Sequence, residues 1–328
     1  MIHEIWALEQ GHFRTMQATE ARSTPADLRA AALAVKPASS RGEAGGSIAV
    51  VPIYGPIEQR QSLYGAMFGG TSIARIKAMG RQAVNDPSVK AVVLDFSTPG
   101  GQVQGVADLH AEILSWRSAK PIVGQVNSVA CSAGYWLLSA CHEIVATQDA
   151  VVGALGIITT RVSTRKADQA AGIEEEILTA GEHKDQSSSD APLTDVGRAS
   201  LQQMLDYYYS LMVNCVAVGM SVTSAKVRSD FGKGLTLTVP AARAASMIHR
   251  VSTLDDTLSR LSSPQGRLSA MRGSTARPSL SASTVIQGAL AGDGEAERRA
   301  RSLVMGTDYR GKGDGDAERR RRLMAMLQ

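Results

Sequence analysis

The sequence predicts an α/β protein with a mostly parallel sheet flanked by helices. Short runs of branched apolar residues alternate with segments of about 10–15 residues that have helical periodicity, the pattern of repeated βαβ units with right-handed crossovers. Only 4% of the 328 residues are aromatic, which favours close packing of helices on strands. With 44% hydrophobic and 20% charged residues, the chain is long enough for one large domain.

The apolar runs and the turn residues between them predict the elements in chain order. Strands are expected at 47–53, 90–96, 121–126, 142–146 and 175–178. Helices are expected at 26–35, 72–85, about 103–117, from Ser132 onward, and 194–219, followed by a helix–turn–helix stretch to Leu261. A Gly-punctuated segment, 151–158, lies between the fourth and fifth strands.

Changes in composition divide the chain into four segments. These are a partly flexible N-terminal segment at 1–46, an α/β domain at 47–262, a Ser-, Gly- and Ala-rich linker at 263–292, and a basic tail at 293–328. The tail region repeats GDGEAERRAR (292–301) as GDGDAERRRR (313–322), with acids before arginines as the helix dipole favours. Two short amphipathic helices and a docking segment for an assembly partner fit this repeat equally well.

Bulk properties exclude several classes of function. A formal net charge of +4 is too small to indicate nucleic-acid binding. Because the chain has no run of about 18 apolar residues and no secretory signal, we expect a cytoplasmic protein without a membrane span. The three cysteines lack metal-ligand spacing, and no phosphate-binding glycine motif is present, so we expect neither a metal nor a cofactor.

Ser132 is the candidate nucleophile. It lies in the segment 127–136, where small residues surround it between a predicted strand and a predicted helix. Such a turn exposes the serine hydroxyl and points backbone N–H groups at a developing oxyanion. The alternative is that Ser132 is only a helix N-cap, a commoner use of serine.

A second turn, 97–101 with sequence STPGG, ends the strand one βα unit upstream. The carboxyl ends of parallel strands meet at one edge of the sheet, so the two turns are expected to face one pocket. A Gly-Gly backbone in that place can supply a further oxyanion donor.

A serine nucleophile also needs a base. His142 is predicted in or near a strand and is expected to pack in the fold, whereas His110 is predicted inside a helix. Lys184 follows the strand predicted at 175–178. A lysine accepts a proton near neutral pH only when burial lowers its pKa, and on its own Lys184 is typical of a surface lysine.

Several motifs in matching order strengthen the case for these residues. They are SIAVVPIYGPI (47–57), STPGG (97–101), ACSAGYW (130–136), VVGALGI (151–157), AGEHKD (180–185) and the stretch from FGKGLTL to STLDD (231–256). Over about residues 47–261, the sequence resembles the signal peptide peptidase A (protease IV) family and its phage head-maturation branch. The separation of 52 residues between Ser132 and Lys184 also fits that family.

The resemblance implies a ClpP/crotonase-like fold of repeated ββα/βαβ units and a Ser–Lys dyad serine protease. Ser132 would be the nucleophile and Lys184 the general base, with the N–H groups of Gly101 and Ala133 as the oxyanion hole. In this family the lysine can reach the serine of a neighbouring subunit, so the resemblance also implies a homo-oligomer.

The same resemblance implies protein substrates, namely scaffold, portal or capsid polypeptides, cleaved in assembling phage proheads in the host cytoplasm. We expect the glycines Gly100, Gly134 and Gly156 to line the substrate site, in a tight pocket for small side chains. One departure concerns Ala154, because the family often has a serine there beside the lysine. Ser128 or Ser187 is a candidate replacement for that hydroxyl.

Two other functions are compatible with the sequence. The first is an assembly or scaffolding protein whose protease domain has degenerated, for which Ala154 and the repeat tail are the reasons. The second is a crotonase-type acyl-CoA enzyme, which would use the same fold and glycine-rich turns. Against the second, the paired acids common in such enzymes are not evident.

Overall fold

The computed structural model describes residues 6–8, 48–62, 65, 69–185 and 193–272. These residues belong to the first of two compact units, which covers residues 1–292. The helix predicted at 26–35, Ser187 and the repeat tail lie outside the described residues.

The strands form one large sheet and one small sheet. In chain order they are β1 (Trp6–Leu8), β2 (Ile48–Tyr54), β3 (Ile57–Glu58), β4 (Thr71–Ser72), β5 (Ala91–Thr98), β6 (Gly100–Gln102), β7 (Ile122–Cys131), β8 (Glu143–Ala146), β9 (Val151–Gly153), β10 (Thr236–Thr238) and β11 (Arg250–Val251). The large sheet has the order β10-β9-β7-β5-β2, and β8 and β11 continue it beside the first half of β7. Its pairings are parallel except for β9 with β10. The small sheet has the order β1-β6-β3-β4.

Nine α-helices are present in the described residues, and several of them begin after a capping side chain. They are α1 (Ile73–Asn85), α2 (Val106–Trp116), α3 (Ala133–Leu138), α4 (Arg165–Ala170), α5 (Asp195–Met220), α6 (Ser224–Asp230), α7 (Val239–Ala244), α8 (Leu254–Ser262) and α9 (Pro264–Met271). The side chains of Ser72, Thr194, Thr223 and Thr253 each accept a hydrogen bond from an amide in the first turn that follows. These caps explain why the predicted starts of α1 and α5 agree closely with the structure.

Both faces of the large sheet are covered, which is why its strands are almost continuously apolar. On one face Val92, Leu94 and Phe96 belong to a core that includes buried residues of α1, α2, α3 and α5. On the other face Ala91 and Val93 contact a smaller cluster completed by residues of α8 and α9. The predicted α/β class, with a mostly parallel sheet flanked by helices, is therefore confirmed.

Three features of the structure differ from the predicted elements. Strand β7 continues to Cys131, because a register shift after Phe96 lets the polar residues Asn127 and Ser128 remain within it. The strand predicted at 175–178 is wrong: these residues are exposed and irregular, and Leu178 is 87% exposed. Residues 264–271, assigned to a linker, form helix α9, whose Ala270 is buried against the sheet.

Helix α5 is the longest described helix, and its second half packs in the core. Gly219 lies so close to α3 that a Cβ atom there would be 2.4 Å from the Ser139 carbonyl oxygen. Within the described ranges, no single helix is long and apolar enough to cross a membrane. Helices α5 and α6 meet both criteria only when taken together, and they are bent by 105°.

The buried His142 predicts a loss of stability in mild acid. Its Nδ1 accepts a hydrogen bond from the Ile122 amide at 3.1 Å, and burial, with a smaller effect of the Arg117 charge, lowers its pKa from 6.5 to about 4. The unfolded chain therefore takes up this proton first as the pH falls. Between pH 6.5 and 4, we expect the free energy of unfolding to fall by about 2 kcal/mol through this group.

Urea unfolding at several pH values measures this effect. A His142→Gln variant should lose less stability over the same range, because its amide does not titrate. His183→Gln is the matched control, since His183 is exposed, and its pH profile should equal that of wild type. Equal slopes for His142→Gln and wild type would contradict the assignment.

Candidate active site

Ser132 occupies the junction between β7 and α3 in a strained backbone conformation. Its φ is 52° and its ψ is −115°, in a region that L-residues other than glycine rarely adopt. Its N–H donates to the Gly153 carbonyl at 2.7 Å, and its carbonyl accepts from the Trp136 amide at 2.8 Å. Strain of this kind costs about 1–3 kcal/mol and is concentrated at functional sites.

Ser132 is not a helix N-cap in the chemical sense. Its side chain makes no capping hydrogen bond to α3, in contrast to Ser72 at the start of α1. Instead, the Ser132 hydroxyl lies 3.3 Å from the Gly156 carbonyl oxygen, to which it donates. The hydroxyl was expected to be exposed, but Ser132 has no exposed surface in this structure. The residue is thus held in an unusual conformation without serving the helix.

The two turns lie side by side, as predicted from the sheet edge. Gly134 contacts the upstream turn so closely that a Cβ there would lie 2.6 Å from the Thr98 methyl carbon. Gly100 has a φ of 114°, and a Cβ on it would lie 3.0 Å from the Cβ of Ser132. The Thr98 hydroxyl donates to the Gly55 carbonyl at 2.6 Å and so ties the turn to the end of β2. Gly100 and Gly134 are therefore needed for the close approach itself.

The two residues expected to form an oxyanion hole flank this contact. Ala133 is the first residue of α3, so its amide has no acceptor within the helix. Gly101 lies in β6, paired in parallel with Ile57 on one side and antiparallel with Ala7 on the other. A Cβ on Gly101 would lie 1.9 Å from the Ile57 carbonyl oxygen, so no larger residue fits there.

Gly156 differs from the other glycines of the site. Its backbone does not need positive φ, and the nearest atom to a Cβ on it would be 4.0 Å away. A side chain would therefore fit at this position. In this structure its carbonyl group serves as the acceptor for the Ser132 hydroxyl.

No hydrogen bond joins Lys184 to Ser132. Lys184 lies in an exposed turn in which its N–H donates to the Gly181 carbonyl at 3.1 Å. Its ammonium group has no hydrogen-bond or ion-pair partner among the residues that the structure describes. Ala154, where the family often has a serine, adopts a φ of 49°. The Ser128 hydroxyl is paired with that of Ser97 at 2.7 Å.

The described histidines offer no competing base beside Ser132. His110 is buried in α2 with Nε2 3.2 Å from the Ser139 hydroxyl, and burial lowers its pKa to about 3. His142 and His249 each accept a backbone N–H, and His183 is exposed beside Glu182. The packing predicted for His142 and the helical position predicted for His110 are confirmed.

The cysteines and acidic residues do not suggest another chemistry. Burial raises the pKa of the Cys141 and Cys215 thiols to about 12, so neither is a ready nucleophile. Among the described residues, no group of three or more His, Cys, Asp or Glu is placed to hold a metal ion.

The sequence reasoning missed two features of this region. Asp95 accepts hydrogen bonds from the Tyr54 hydroxyl and, at 2.6 Å, from the Asn127 amide, and burial raises its pKa. It therefore links β2, β5 and β7, and its place within the apolar run KAVVLDF was the available signal. The second feature is β1, whose Ala7 is fully buried beside Gly101 although the N-terminal segment showed no core pattern.

Comparison with known proteins shows what part of this domain is similar to. A family model described as peptidase family S49 matches residues 115–266, which include Ser132, Lys184 and the helices that follow. This part of the chain is therefore similar to peptidase family S49.

Relatives of this part of the chain occur in phages and bacteria. Capsid assembly protease C of Escherichia phage lambda is 32% identical over 177 residues, which cover 53% of this chain and 40% of that protein. Protease 4 of Salmonella typhi is 28% identical over 228 residues, covering 66% of this chain and 34% of the relative. The chain thus spans less than half of the length of either relative.

Among solved structures, a mutant of the 1510-N membrane-bound stomatin-specific protease in complex with a substrate peptide is similar to this chain. The two share 16% sequence identity with a TM-score of 0.40. The alignment covers 66% of this chain and 80% of that structure.

The positive φ of Ser132 predicts an unusual order of stabilities. Ser132→Gly should be more stable than Ser132→Ala by about 1 kcal/mol, because glycine adopts this φ without strain. Urea unfolding of the two variants measures the difference.

The matched control is Ser139, which has a φ of −60° at the end of α3. There the order should reverse, with Ser139→Ala more stable than Ser139→Gly. Finding alanine more stable at both positions would contradict the strained conformation of Ser132.

Proposed function

We propose that this chain is a serine endopeptidase that cleaves protein substrates through an acyl-enzyme on Ser132. The observation that carries the proposal is the backbone of Ser132, held at positive φ against the Gly100–Gly101 turn without any capping role. Strained nucleophiles beside outward-facing amides are typical of acyl-transfer sites. The similarity to peptidase family S49 supports the same conclusion.

In the proposed reaction the Ser132 hydroxyl oxygen attacks the carbonyl carbon of the scissile peptide bond. Its proton passes to the neutral Lys184 amine, and the resulting oxyanion accepts hydrogen bonds from the amides of Gly101 and Ala133. The lysine then gives the proton to the leaving amine as the C–N bond breaks. Water, deprotonated by the same lysine, hydrolyses the ester and regenerates Ser132.

The position of Lys184 favours a dyad formed between two copies of the chain. The segment 159–185 is largely exposed, and it carries apolar side chains that face solvent in this structure: Val162 is 63% exposed, Ile173 58% and Leu178 87%. Exposed apolar groups in one segment are typical of a protein–protein contact. We propose that this segment packs on a neighbouring copy in a homo-oligomer and brings Lys184 to the partner's serine.

The substrates follow from the phage relative. Because that protein is named a capsid assembly protease, we propose that scaffold, portal or capsid polypeptides are cleaved here within assembling proheads in the host cytoplasm. The proposal includes no cofactor, no nucleic acid and no membrane partner.

A scaffolding protein with a degenerate protease domain is the second candidate. It is favoured by the exposed position of Lys184 in the single chain and by the alanine at position 154. It predicts oligomers that bind capsid proteins without hydrolysis.

Substitutions at the dyad distinguish these candidates. Ser132→Ala and Lys184→Ala should each reduce hydrolysis of fluorescein-labelled casein, and shortening of the chain itself, by at least about a thousandfold. Intact-mass spectrometry after overnight incubation measures the shortening.

The controls are Ser118→Ala and Lys90→Ala, which remove an exposed serine and an exposed lysine of the same domain. Both should retain wild-type activity. Cleavage by Ser132→Ala at the wild-type rate would refute the nucleophile, and complete inactivity of wild type in assembled oligomers would favour the scaffolding candidate.

Mixing the two inactive variants tests where the lysine comes from. In a mixed oligomer, a chain with Ser132 intact can meet a neighbour with Lys184 intact, so we expect up to about a quarter of wild-type activity to return. The variants are unfolded together, refolded and assayed on casein, with each variant refolded alone as the control. A mixture as inactive as its components would place both members of the dyad in the same chain.

A further inference from the structure

Strand β1 lies on the edge of the candidate active site. It pairs antiparallel with β6 in a defined register, with Trp6 opposite Gln102, Ala7 opposite Gly101 and Leu8 opposite Gly100. Strand β6 is the extension of the STPGG turn, and its other side is occupied by Ile57 of β3. A short strand from the N-terminal segment therefore occupies the edge of β6 that would otherwise be open.

The Ala7 carbonyl group is close to the serine. A Cβ on Gly100 would be 2.2 Å from the Ala7 carbonyl oxygen and 3.0 Å from the Ser132 Cβ, so the two groups meet around the same glycine. Both Ala7 and Ser132 are fully buried. The peptide bond between Ala7 and Leu8 therefore lies near the position expected for the scissile bond of a substrate.

We propose that Trp6–Leu8 occupies the groove that receives the substrate peptide, and that substrates bind by displacing it. This inference rests on the proposed protease function. An extended peptide would then add to β6 as an antiparallel strand, with its backbone groups paired to Gly100–Gln102 and a small residue in the place of Ala7. The absence of side chains at Gly100 and Gly101 allows a peptide backbone to approach this closely.

The features of β1 suit a displaceable occupant. It has three residues, it pairs with one neighbour, and residues 9–47 separate it from β2. Because β1 belongs to the same chain, its effective concentration near the groove is high although its own pairing is short. A protein substrate held in a larger assembly can therefore compete with β1 for the edge of β6. Isolated short peptides compete poorly and bind weakly.

The first test measures peptide binding without catalysis. A fluorescein-labelled peptide with the sequence of residues 4–10, EIWALEQ, is titrated against Ser132→Ala and against Ser132→Ala carrying Ala7→Asp. A buried carboxylate at position 7 should expel β1, and the peptide should bind about tenfold more tightly, the gain expected if β1 fills the groove nine-tenths of the time. Ala7→Pro, which interrupts the strand by another route, should give the same gain.

Ala225→Asp in the Ser132→Ala background is the matched control, since Ala225 is exposed on α6. It should bind the peptide as weakly as Ser132→Ala alone. Unchanged binding in both position-7 variants would overturn the inference.

The second test distinguishes a substrate groove from a purely structural strand. With Ser132 intact, Ala7→Asp and Ala7→Pro should lower the KM for casein, and the peptide should inhibit them competitively. If β1 only stabilises the fold, the variants should lose activity and the peptide should restore it, which would overturn the inference. Tighter peptide binding without casein hydrolysis by wild type or any variant would instead refute the protease function and leave the peptide groove standing.

Discussion

The close approach of two βα turns around Ser132 is the constraint on which the rest of the site depends. Gly134 and Gly100 have no side chains, so the start of α3 and the end of β5 come into contact at distances that a Cβ would prevent. That contact holds the serine at positive φ and brings it beside Gly101 and Ala133. Replacing either glycine would push the turns apart, and Ser132 would move away from the turn that contains Gly101.

The large parallel sheet makes this contact rigid. Its two faces are both buried, and Asp95 ties the ends of β2, β5 and β7 together through Tyr54 and Asn127. The groups that position the serine therefore belong to the stable part of the fold. The lysine, by contrast, belongs to an exposed segment that contributes little to the core. If the dyad forms between copies, as proposed, the protease would stay inactive until a neighbouring copy packs on that segment.

The N-terminal strand adds a second level of control to the same site. Strand β1 pairs with the edge of β6 beside Ser132, so a substrate strand at that edge would have to take its place. Assembly would supply the lysine, and a substrate of high local concentration would displace the strand. Both requirements favour activity inside a crowded assembly over activity in dilute solution.

The sequence by itself determined the α/β class, most strands and helices, and the serine with its two glycine-rich turns. These depend on local patterns, namely apolar periodicity, capping residues such as Ser72 and Thr194, and glycines between elements. Only the tertiary structure decided that residues 175–178 form no strand, that Asp95 links three strands, and that β1 reaches the active site. These features depend on contacts with residues that are far away in the chain. The local sequence around Leu178 or Ala7 does not indicate which residues those are.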